Sequence, residues 1–154
     1  MYSKQEVSTI KQAFWTAFGK YMKPILSADG ATVSWSNYKT GIPGVSFKLE
    51  ADNRDASVTI LITQANAQLH DAFFEQFLAQ KNMLEAALGE SDWDWQYHIT
   101  DDYGRTLSYI RKELKGVSVL RQEDWPALIS FFKARIIALD EYWSSARYGF
   151  EMLL

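Results

Sequence analysis

The sequence predicts an α+β fold: an antiparallel sheet of about five strands with three helices packed mainly against one face, in the order α-β-β-β-α-β-β-α. Three observations carry this reading. Apolar residues recur at steps of three and four near both ends and in the middle of the chain. Between those stretches they recur at steps of two, and the alternating runs are separated by short segments rich in Gly, Asp, Asn and Pro.

The first helix opens with Ser3 and Glu6, the spacing of a capping box. Val7, Ile10, Phe14, Ala17, Phe18 and Tyr21 share one face, and Pro24 ends the element. Alternation then marks three strands, through Val33 and Trp35, through Val45, Phe47 and Leu49, and through Val58, Ile60 and Ile62. Turns fall at Thr40 to Gly44 and at Asp52 to Asp55, so the three read as an antiparallel meander.

Leu69, Phe73, Phe77, Leu84 and Leu88 return to helical spacing, with Gly89 as the stop. Trp93, Trp95, Tyr97 and Ile99 alternate with Asp94, Gln96 and His98 as a fourth strand, and a turn at Asp101 to Gly104 leads into a fifth over about 105–111. Val117 to Leu120 extends the sheet or leads out of it. Asp124 as cap and Pro126 in the first turn start a long last helix with a stripe through Leu128, Phe132, Ile136, Leu139 and Trp143. No linker or repeat divides residues 1–154, so one domain is expected.

The chain has no cysteine, which excludes disulfides, thiolate metal sites and cysteine nucleophiles. Together with a start that lacks the apolar stretch of a secretory signal and with no apolar run of membrane-spanning length, this predicts a cytoplasmic protein with no membrane contact. Charge is sorted along the chain. The first 48 residues carry six lysines against two acids, residues 66–104 carry eight acids against one lysine, and residues 105–121 carry five cations against one acid. Blocks of alternating sign can satisfy one another inside the fold or across a homodimer.

Asn37 to Gly41, Ala72 to Phe77, and the segment from Trp125 to Trp143 with its Ile-Ala-Leu-Asp-Glu-Tyr-Trp ending together resemble the bacterial domain of unknown function 4268 family. The likeness covers nearly the whole chain. It implies a domain that occurs alone or as the tail of longer proteins with a nuclease-like front part, hence an accessory role in a defence or regulatory system. It implies no catalytic residues.

Asp102 with Glu113 and Lys115 is the nearest approach to a metal-dependent nuclease, which needs two carboxylates on a divalent ion and a lysine beside it. The spacing is loose, and a solvated hairpin edge explains the same residues. Asp92, Asp94, Asp101 and Asp102 with His98 could supply oxygen ligands, but Tyr97 and Tyr103 stand where a calcium loop has Gly and Glu. His70 and His98 lie in different elements without a zinc-site partner. No catalytic residue, metal or cofactor is therefore assigned.

Two binding readings are left. Arg105, Arg111, Lys112, Lys115 and Arg121 could neutralise nucleic-acid phosphates, although the acidic block before them can satisfy the same cations. The 23 Trp, Tyr and Phe residues carry the preferred reading, because both flanks of the last helix bear large apolar groups. On that reading Phe131, Tyr142, Trp143 and Tyr148 form a surface for a homodimer or a protein partner, and the domain is a non-enzymatic interaction module.

Overall fold

A computed structural model describes all residues 1–154. The elements are α1 (Lys4–Met22), β1 (Val45–Ala51), β2 (Asp55–Ile62), α2 (Ala67–Ala79), α3 (Lys81–Leu88), β3 (Asp94–Thr100), β4 (Thr106–Lys115) and α4 (Trp125–Glu151), with a single 3₁₀ turn at Gln122–Asp124. The class is α+β, with one antiparallel sheet of four strands in the order β1-β2-β4-β3.

Two hairpins are joined back to back. β1 and β2 connect through Asp52 to Asp55, β3 and β4 through Asp101 to Arg105, and the two pairs meet where Ile60 faces Ile110 across β2 and β4. Val45, Phe47, Ala56, Val58, Ile60, Ile62 and Ile110 all point to one face and are buried there. α4 crosses that face, with Trp143 edge-on to Phe47 and its indole N–H donating to the Thr40 carbonyl at 2.7 Å. α2 joins it through Phe73 and Phe77 against Phe150, and α1 through Phe14 and Phe18 against Phe132. All four helices thus cover the same side.

α1 forms as its cap predicts: the Ser3 hydroxyl accepts from the Glu6 amide and the Glu6 carboxylate from the Ser3 amide, both at 3.1 Å. Elsewhere the structure corrects the sequence reading. The strand expected at Val33 and Trp35 is an irregular segment, because Trp35 is buried by donating its indole N–H to the Ile25 carbonyl rather than by a ladder. Of the two readings for Val117 to Leu120, the segment leads out of the sheet; Val119 is buried and its amide bonds the Asp52 carbonyl.

The single helix expected over Leu69 to Leu88 is broken at Gln80, whose amide bonds back to Gln76 and Phe77, and α3 turns onto α4. Asp124 does not cap α4. Its carboxylate accepts from the Ser118 amide and from Arg121, both at 2.9 Å, and this holds its pKa below the ordinary carboxylate range.

Candidate interaction surface

β3 departs from simple alternation. Tyr97 and His98 together oppose the single residue Ser108, and His98 takes a left-handed backbone with φ of 50°. Trp95 faces the helices, where it meets Phe74. After the bulge the phase reverses, so Ile99, expected beside Trp95, pairs with Leu107 on the opposite face.

That opposite face has no helix over it. Following the register, its rows read Glu50, Ser57 and Glu113; then Lys48, Thr59, Arg111 and Asp94; then Ser46, Leu61, Tyr109 and Gln96; then Leu107 and Ile99. Leu61, Leu107, Tyr109 and Ile99 are each half-buried and form an apolar half. The charged half is organised by Arg111, which lies 3.9 Å from the Tyr109 ring and donates from Nε to the Thr59 hydroxyl at 3.0 Å. Lys48 and Asp94 are exposed at opposite edges of one row. Neither has an ion-pair partner; Asp94 only accepts from the Gln96 amide at 2.8 Å.

The aromatic surface expected on α4 is not free. Phe131, Tyr142 and Trp143 are buried in the chain's own core, and of the four residues only Tyr148 is exposed. The break at Gln80 explains the difference, because α3 covers the second flank of α4 and the Tyr142 hydroxyl donates to the Gln80 side chain. Burial raises the Tyr142 phenol above its ordinary range.

The basic run is largely spoken for. Arg105 pairs with Asp101 at 2.9 Å, Lys112 with Asp92 at 2.6 Å and Glu90 at 3.5 Å, Lys115 with Glu113 at 2.9 Å and Asp55 at 3.4 Å, and Arg121 with Asp124 at 2.8 Å. Hydrogen bonding to Asp92 leads the causes that raise the Lys112 ammonium, and bonding to Glu113 leads those for Lys115. The nuclease-like trio does not assemble. Asp102 lies in the β3–β4 turn, while Glu113 and Lys115 lie at the far end of β4, about 20 to 30 Å away at strand rise. No group of three or more His, Asp or Glu side chains is placed to hold a metal ion.

Two polar networks escaped the sequence reading. Asp140, buried in the apolar stripe of α4, accepts from the Ala28 amide at 2.7 Å and the Tyr38 hydroxyl at 2.6 Å. Burial, and then the bond to Asp140, raises the Tyr38 phenol. In the second network His70 Nδ1 donates to the Gln64 carbonyl at 3.1 Å, and Nε2 shares a hydrogen bond with the Ser108 hydroxyl at 2.7 Å. Ser108 Oγ also accepts the His98 amide at 3.0 Å. A serine on a histidine suggests a nucleophile, but this hydroxyl is wholly buried, and the contact ties α2 to the bulge.

The hollows are shallow. The largest, about 650 Å³, lies between the Ser36 to Pro43 segment and β1, and its lining holds Lys39 and Lys48 but no acid. Another of about 450 Å³ opens beside His70, His98 and Arg105.

The fold and these surfaces define a helix-backed antiparallel sheet with one bare face. The chain belongs to the family described as domain of unknown function DUF4268, whose model matches residues 10–147. No curated protein and no solved structure matches it. No helix is long and apolar enough to cross a membrane.

Proposed function

We propose that the chain is a non-enzymatic interaction domain that associates with a second copy of itself through the bare face of its sheet. The observation that supports this is the apolar half of that face: Leu61, Leu107, Tyr109 and Ile99 are contiguous, half-buried and covered by no helix. An antiparallel sheet facing water on one side presents polar side chains there, and these four break that rule. The accessory role in a defence or regulatory system rests on the family likeness.

The basic β3–β4 hairpin supports a nucleic-acid role less well, since four of its five cations already hold carboxylates. Sedimentation velocity from about 1 to about 100 µM, spanning the Kd range of weak interfaces, tests the proposal. A reversible dimer weakened by Leu61→Lys, with the circular dichroism of the monomer unchanged, supports it. A strict monomer across that range removes it.

A further inference from the structure

Self-association through the bare face leaves open how two copies lie on each other, and the rows of side chains choose among the arrangements. Two sheets stacked about a two-fold axis can have that axis along the strands or across them. With the axis along the strands and between β2 and β4, each row meets its own row with the strand order reversed, so β1 lies over the partner's β3. With the axis across the strands, each strand lies over its own copy and the rows exchange.

The second geometry fails in three of its registers. Centred on the row of Lys48 and Arg111, it sets each cation over its own copy. Centred on the row of Leu61 and Tyr109, it sets Arg111 over the partner's Leu107. Centred between the rows of Lys48 and Glu50, it pairs opposite charges but leaves Leu107 and Ile99 hanging outside the contact.

The first geometry stacks the apolar half and pairs the outer charges of the other half, at the cost of bringing the two Arg111 groups, each leaning over Thr59, side by side near the axis. Leu61 meets the partner's Tyr109, Ser46 meets the partner's Gln96, and Lys48 meets the partner's Asp94, while Thr59 is buried beneath its own Arg111. We infer that this chain forms a two-fold dimer with its bare faces stacked and its strands aligned, in which Lys48 of each copy pairs with Asp94 of the other.

This inference rests on the self-association proposed above. Its further supports are that Lys48 and Asp94 are exposed and lack ion-pair partners within the subunit, and that they stand at the two ends of one row, where a two-fold axis along the strands superposes them. Four strands spaced about 4.8 Å, each with about seven residues of 3.4 Å rise, give a flat face of about 450 Å² per copy. Two such faces come to about 900 Å² before side-chain relief is counted, the size of a weak, readily reversible interface.

Charge reversal in the full-length chain, at about 50 mM salt, where screening is weak, is the test. Lys48→Asp alone and Asp94→Lys alone each weaken the dimer at least about ten-fold in sedimentation equilibrium, since two symmetry-related pairs become repulsive. Lys48→Asp with Asp94→Lys returns it to within about three-fold of the original. Failure of that double variant to recover, or recovery by Lys48→Asp with Glu50→Lys instead, overturns the inference; if Leu61→Lys still breaks the dimer, the bare face stands as the contact. A dimer indifferent to all these changes, or no dimer, takes down both.

Discussion

Replacing Ser108 with alanine removes one oxygen and strands two polar groups. His70 Nε2, on a ring that is 2% exposed, loses the hydroxyl at 2.7 Å, and the His98 amide loses its acceptor at 3.0 Å. His70 cannot rotate to a new partner without giving up the Gln64 carbonyl at 3.1 Å. An unsatisfied buried donor or acceptor costs about 1–3 kcal/mol, so two partly shielded groups amount to about 2–4 kcal/mol. In a domain of this size that lowers Tm by about 5–15 °C. Urea unfolding followed by tryptophan fluorescence should show a lower midpoint at unchanged slope. A loss below about 1 kcal/mol would mean that neither group depends on this hydroxyl, and the account of how α2 is pinned to the bulge would fall.

Gly44→Ala is expected to destabilise by about 2 kcal/mol or more: its φ is +82° and a Cβ there would sit 2.7 Å from the Gln64 backbone, so the loss should appear in the same urea midpoint. Phe132→Ala opens a cavity where α1 meets α4 and should cost about 3–5 kcal/mol, whereas Tyr2→Ala, at the exposed start, should change stability by less than about 0.5 kcal/mol. Glu90 gives a pH signature. Burial pushes its carboxyl up, but the bonds from Arg135 and Trp93 outweigh this and hold it below the ordinary value. Its contribution is complete above the unfolded value of about 4.3 and disappears as pH falls through the lowered folded value, so the stabilities of the wild type and Glu90→Gln should converge below about pH 4. A gap that stays constant down to pH 3 would contradict that linkage.

What the sequence made legible was local. The Ser3 and Glu6 box, the alternation of Val45 to Leu49 and Val58 to Ile62, and Trp125-Pro126 at the head of α4 all act within a turn or two of chain, and each formed the expected element. What it hid was decided at a distance. Val33 and Trp35 alternate like a strand, but no neighbour pairs with them, and Trp35 is buried through Ile25. The apolar stripe of Leu69 to Leu88 runs on through Gln80, so the break that moves α3 onto α4 leaves no mark in the periodicity. That break is why Phe131 and Tyr142 look like surplus in the sequence and are core in the fold. The bare face was hidden for the same reason: only the bulge at His98 takes Ile99 away from Trp95, and nothing between Asp94 and Thr100 announces it. Asp140 did carry a signal, a lone acid inside an apolar stripe.

α4 also has a consequence in time. Because the chain is synthesised from its N-terminus, the strands are made before residues 125–151, and Val58, Ile60 and Ile110 have no cover until α4 docks. A sheet that forms before α4 docks therefore displays its oily side outward, a target for sticking to other chains.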